Sequence, residues 1–142
     1  MDEGTKARVR ASFAKQSLME TFGASLDALE AGRCTITAPI GPNVRQQHGV
    51  GHAGLTFALG DTAAGYAALT AMPEGAEVMT VEMKINLMAP AAGARLIATG
   101  RVVRAGRRLT VVTAEVEAET EAGARRTIAL LQGTMIAVDP AG

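Results

Sequence analysis

At 142 residues the chain is long enough to bury a substantial core, so neither disulfides nor metals are required to hold it together. Fourteen Lys and Arg balance 14 Asp and Glu, which removes the basic footprint of a general nucleic-acid binder, and 3% aromatic residues with no Trp leave little for base stacking. The single Cys34 excludes an intramolecular disulfide and a Cys-based zinc site; with a charged N-terminus that has no apolar stretch behind it, it points to one cytoplasmic domain spanning residues 1–142.

Val9, Phe13, Leu18, Met19 and Phe22 recur at loose helical spacing, which predicts one or two short helices in an N-terminal segment over 1–22, ended by Gly23. From Leu26 to Ile40 a break at Gly32 precedes Cys34, Ile36 and Ala38 alternating with Arg33, Thr35 and Thr37, the period of a half-buried strand. Pro39 and Pro42 then open a loop to about Gly51. From His52 or Ala53 to about Met72 the pattern is helical, stopped by Pro73 and Gly75. This segment is almost free of polar side chains, as in a buried helix. Its Gly54, Gly60 and Gly65 each cost about 1 kcal/mol relative to Ala, so they make sense where another backbone or a ligand comes close. It carries an acid near its centre and lacks flanking basic anchors, so no membrane span is expected.

Strands fill the rest. Met79, Val81, Met83, Ile85 and Leu87 alternate with Thr80, Glu82, Lys84 and Asn86, predicting one inner and one outer face. Leu96 to Arg104 and Arg108 to Glu119 flank a hairpin tip at Ala105-Gly106, with Val112, Ala114, Val116 and Ala118 inward. After a turn at Glu121-Ala122-Gly123, Arg125 to Val138 is apolar on both faces, as in a strand covered on both sides. The fold class is α+β: one long helix packed on an antiparallel sheet whose far face is solvated or covered by another subunit.

The lone acid of the buried helix is Asp61, and an unpartnered buried carboxylate calls for a reason. His52 lies nine positions before it, about 180° round the helix and about 13 Å along it, so the two cannot meet within one chain. A site using both must be shared between two copies, as a two-fold dimer permits. The first N–H groups of the helix, those of Ala53 and Gly54 among them, can polarise a carbonyl, and Asp61 can act as nucleophile or general base. The plainer readings are Asp61 as the N-cap of a helix starting at Thr62, and His52 as a packed or backbone-bonded histidine. His48 and His52 at i, i+4 find no third ligand nearby, so no metal is expected. Cys34 reads as strand core, and Met72 and Met88 as core filler or the lining of an acyl pocket.

The segments G-V-G-H-A-G-L-T-F-A-L-G-D-T-A-A-G (Gly49 to Gly65), T-V-E-M-K-I-N-L-M-A-P-A (Thr80 to Ala91), G-R-R-L-T (Gly106 to Thr110) and G-T-M (Gly133 to Met135) resemble those of the hotdog-fold acyl-CoA thioesterases. The likeness runs from about residue 22 to 138 and is greatest to the phenylacetate-degradation branch. It implies a long central helix wrapped by a curved antiparallel sheet, sheets joined edge to edge in a homodimer, usually two such dimers in a tetramer, and an active site between subunits. On this resemblance Asp61 is the catalytic carboxylate, the Ala53 N–H polarises the thioester carbonyl, Gln46 contacts the water or the carbonyl, Thr80 helps to place the water, and His52 is mostly structural. Thr80 sits on the polar parity of its strand, so it reaches the site only if that face meets the partner or a bulge resets the register.

The expected activity is hydrolysis of an aryl- or medium/long-chain acyl-CoA, with no cofactor beyond the CoA of the substrate. Gly54 gives the substrate close access to backbone, Phe57 and Leu59, with Phe13 or Phe22, are expected to line the acyl pocket, and Arg104, Arg107, Arg108 or Arg125 to meet CoA phosphates. The alternatives are a non-catalytic acyl-CoA binding or sensing module, an enoyl-CoA hydratase or dehydratase on the same fold, and a helix that is merely an ordinary core element. No nucleic acid or membrane partner is expected.

Overall fold

A computed structural model of the chain describes residues 1–140. The N-terminal segment forms two helices, α1 (Glu3–Ala14) and α2 (Ser17–Phe22). The Asp2 side chain caps α1 by accepting from the Thr5 N–H at 2.7 Å, and Gly23, at φ 67°, ends α2 in the left-handed conformation that Gly adopts most readily. What the sequence suggests as one strand before the long helix is a hairpin of two, β1 (Ser25–Glu30) and β2 (Arg33–Pro39), with Gly32 at φ 72° in the turn.

The long helix α3 runs from Ala53 to Leu69 with His52 as its N-cap, which removes the reading of Asp61 as a cap. Eleven of its 17 residues are buried, including every one from Ala63 to Leu69. It packs against β2 and against β3 (Glu77–Leu87), β4 (Arg95–Ala105), β5 (Leu109–Glu119) and β6 (Arg125–Val138), so the sheet wraps it. The tightest seat is at Gly100 on β4: a Cβ there would stand 2.3 Å from the Ala63 carbonyl carbon, so only glycine lets the helix lie this close. Arg8 of α1 ties the far end of α3 down by donating to the carbonyls of Leu69 at 3.0 Å and Pro73 at 2.8 Å, groups a helix C-terminus otherwise leaves open.

The remaining strands are β3 (Glu77–Leu87), β4 (Arg95–Ala105), β5 (Leu109–Glu119) and β6 (Arg125–Val138), in one antiparallel sheet of order β1-β2-β4-β5-β6-β3. β3 follows the helix in sequence yet lies at the edge beside β6, and its other side is unpaired. On β5 the expected alternation holds, with Val112, Ala114, Val116 and Ala118 buried. Leu59, Leu69, Leu96, Val112 and Val116 are sealed from solvent, each such burial contributing about 1.5–3 kcal/mol.

Two face assignments differ from the sequence pattern. On β3, Met83 and Ile85 turn inward, but Met79 and Val81 are exposed at 59% and 54%, because the register shifts between Thr80 and Glu82; Leu87, at the far end of the strand, is also 54% exposed. On β6, Ile128, Ala129, Leu131 and Met135 are buried, whereas Leu130 is 41% exposed: within one chain its outer face is uncovered.

Candidate active site

The head of α3 is set by its own sequence. His52 leaves extended backbone (φ −64°, ψ 143°) and its Nδ1 accepts the Gly54 N–H at 2.7 Å, so the neutral ring carries its proton on Nε2. Gly54 is therefore a satisfied donor, contrary to the expectation that its N–H stands open. The Leu55 and Thr56 N–H groups fold back onto the His52 carbonyl, and among the described residues the Ala53 N–H has no partner. It sits exposed at the positive end of the helix dipole.

The loop before it is held by Arg45, whose guanidinium donates to the carbonyls of Ile40, Gly41 and Gly49. The His52 N–H joins the Val44 carbonyl and the Gly51 N–H the Ala91 carbonyl, which pins the approach to α3 against the Pro90-Ala91 segment. Gln46 lies on this loop; its side-chain oxygen accepts the His48 N–H, which leaves its amide nitrogen as a donor. Gln46, His52 and Ala53 line one cleft of about 480 Å³ with Val50, Thr56 and the apolar Leu87, Met88, Ala89 and Pro90. Met88, singled out as a possible acyl-pocket residue, is part of that wall; Met72 is buried.

Asp61 opens into a different cavity, of about 200 Å³, lined by Ser12, Gln16, Thr62, Gly65, Tyr66, Glu77, Val78, Thr80 and Met135. It shares no lining residue with the cleft at the helix head. Thr80 Oγ1 donates to Asp61 Oδ1 at 2.8 Å, because the bulge in β3 turns Thr80 inward. Burial raises the Asp61 carboxyl above its ordinary 3.8, and the Thr80 hydrogen bond opposes that rise. The cavity roof is the junction of α1 and α2: Gln16 Nε2 donates to the Tyr66 hydroxyl at 2.7 Å, and Ser12 Oγ lies 3.0 Å from the same oxygen.

Several expected contacts lie elsewhere. Leu59 is sealed in the core, and Phe57 packs half-buried against it; neither lines the cleft or the cavity. Phe22 borders a separate apolar groove with Leu18, Val44, Leu55 and His52, and Phe13 meets Tyr66 edge-on. Arg104, Arg107 and Arg108 are exposed at the β4–β5 hairpin, away from both linings, while Arg125 is committed to Glu119. Sequence reading missed Arg45, Ser12, Gln16, Tyr66 and Glu77. Only the i, i+4 spacing of Ser12 and Gln16 hinted at a shared face. Among the described residues no three His, Cys, Asp or Glu side chains gather as a metal site would need, and no helix is long and apolar enough to cross a membrane.

The thioesterase superfamily model matches residues 48–124. No curated protein matches the chain. Among solved structures, a thioesterase family protein from Silicibacter pomeroyi is 42% identical over 95% of this chain and 98% of its own, with a TM-score of 0.92. The BH2602 protein of Bacillus halodurans, solved with CoA, is 26% identical over 96% of this chain and 84% of its own, at 0.76. The E. coli PaaI protein of the phenylacetic acid degradation operon shares the fold at a TM-score of 0.82 with 20% identity, over 95% of this chain and 94% of its own.

Proposed function

The chain belongs to the thioesterase superfamily and has its hotdog fold, and from that premise we propose that it is an acyl-CoA thioesterase of the PaaI-like branch. One observation carries the reading. A single helix holds a free, dipole-backed N–H at Ala53 in one cleft, and a carboxylate hydrogen-bonded to Thr80 in another.

The two features are complementary parts of one reaction. The Ala53 N–H polarises the thioester carbonyl and takes up the charge that develops on its oxygen, with the Gln46 amide nitrogen as a second donor to that oxygen or to the water. Asp61 removes a proton from the attacking water, or attacks the carbonyl itself, and Thr80 holds Asp61 Oδ1, which leaves Oδ2 for the reaction. CoA leaves as the thiol. The bound CoA of the Bacillus halodurans relative supports this leaving group. The apolar wall from Leu87 to Pro90 suits an aryl or medium-chain acyl group, and Arg104, Arg107 and Arg108, exposed on the β4–β5 hairpin, are offered for CoA phosphates. No cofactor is needed, and the cytoplasm is the compartment that suits Cys34 and a CoA substrate.

Eight residues along one helix, the Ala53 N–H and Asp61 stand about 12 Å apart, too far to serve one carbonyl. A second copy closes the gap. The unpaired edge of β3, with Met79, Val81 and Leu87 exposed beside it, is where a partner sheet joins, and a two-fold axis there brings the helix head of one subunit to the Asp61 of the other. Two such dimers make the tetramer.

The test is release of CoA thiol from a panel of aryl and fatty acyl-CoAs by wild type and Asp61→Asn, with oligomer size measured by light scattering. Turnover in wild type and its loss in the variant are expected. Equal rates on every substrate would remove Asp61 from the reaction, and binding without turnover in wild type would mark a sensing module. Full activity in a stable monomer would end the shared-site reading.

A further inference from the structure

The contact between Thr80 and Asp61 depends on an irregularity in β3. Thr80 faces Met135 and Glu82 faces Thr134, consecutive residues of β6, so Val81 is an extra residue on the β3 side. In an unbroken ladder the alternation of Met79, Val81, Met83 and Ile85 would turn Val81 toward α3 and Thr80 away from it. The bulge reverses the parity of everything before it. Thr80 Oγ1 then reaches Asp61 Oδ1 at 2.8 Å and Met135 Sδ at 3.3 Å, while Met79 and Val81 are left exposed. The apolar pattern of β3 therefore opposes the register that the site needs.

Gly133 stands across from the bulge, paired with Met83. A Cβ on it would lie 2.4 Å from the Glu82 carbonyl oxygen and 2.8 Å from Met83 Sδ. The methionine tip can move, but the backbone oxygen at the bulge cannot without carrying β3 with it. Resting on the catalytic reading of Asp61, we infer that Gly133 is a positioning residue: its bare backbone seats the Val81 bulge, and the seated bulge is what holds Thr80 on Asp61.

Thr80 lowers the Asp61 carboxyl against the rise caused by burial, so losing the contact moves the acidic limb of the rate profile to higher pH. The other ionisable side chains lining the cavity are Tyr66 of α3 and Glu77 of β3; α1, the α1–α2 junction and β6 present only Ser12, Gln16 and Met135 to it.

The experiment measures kcat, kcat/KM against pH and melting temperature on the best substrate of the panel. Gly133→Ala is expected to lower kcat about tenfold and to move the acidic limb upward, as Thr80→Val does, with no further effect when the two are combined. Deleting Val81 joins Thr80 and Glu82 in an unbroken ladder without moving either from its β6 partner. In that background Gly133→Ala is expected to leave the acidic limb where the deletion alone puts it. A melting temperature that falls in Gly133→Ala while the limb stays put overturns the inference, since the glycine would then be only structural. If Gly133→Ala does not fold, recovery of folding and turnover on deleting Val81 supports the inference, and failure to recover overturns it. A Thr80→Val enzyme with unchanged kcat and limb would instead sink the catalytic reading beneath it.

Discussion

The head and the middle of α3 are built from different materials. At the head the proposed active element is backbone: one open N–H at Ala53, a histidine cap that fixes the first turn, and a dipole that needs no charged side chain. In the middle it is a side chain, Asp61, whose proton affinity is set by burial and by a threonine 19 residues further on in another strand. The head is thus insensitive to most substitutions, because almost any residue supplies an N–H. The middle depends on the register of two distant strands and is sensitive to changes that never touch the acid.

Substitutions can break this comparison from either side. Asp61→Asn keeps the shape and the acceptor for Thr80 but removes the base, and should cost about 10²–10⁴ in kcat in the thiol-release assay. The same variant should be more stable. The folded carboxyl titrates above 3.8, so above its folded value the buried charge costs stability, while below 3.8 both folded and unfolded chains are protonated and the cost disappears. Asp61→Asn should therefore melt higher than wild type at neutral pH, with the gap closing as pH falls through the folded value.

Ala53→Pro attacks the head in the only way the chemistry allows, by deleting the N–H. Proline is well tolerated at the first helical position, and His52 at ψ 143° already has the backbone that a residue before proline prefers. A loss of about 10²–10³ in kcat with little change in melting temperature is expected; retention of kcat would leave the helix head without a catalytic role. Thr80→Val should cost about tenfold and shift the acidic limb of kcat/KM to higher pH, the direction that follows from losing a bond to the ionised acid. The smallest effect is expected for His52→Ala, about 0.5–2 kcal/mol in denaturant unfolding from the lost cap, with His52→Asn recovering most of it.

Local signals made much of the architecture legible in the sequence. Pro73 and Gly75 lie a few residues past the end of α3 at Leu69, short of the expected stop near Met72; Gly23 and Gly32 mark the left-handed positions that close α2 and separate β1 from β2, and the period of β5 gives its buried face directly. Strand order was not legible, because β3 pairs with β6 through contacts that only the closed sheet defines. The inner face of β3 was misread for the same reason: its alternation is clean, and the bulge that overrides it is seated by Gly133, over fifty residues later. Asp61 and Ala53 stood out from the pattern of the helix, whereas Gln46 and Thr80 came only with the family resemblance. The Ser12, Gln16 and Tyr66 cluster over Asp61 did not, since residues some fifty positions apart meet only when α1 docks on α3.

The grip of Arg8 on the far end of α3 also orders events in time. Its two carbonyl partners lie 61 and 65 positions further along the chain. A ribosome working from the N-terminus therefore makes α1 before the carbonyls that anchor it exist, so α1 stays without these two anchors until the end of α3 has been made. The roof over Asp61, made of Ser12 and Gln16, closes only after the acid beneath it has been made.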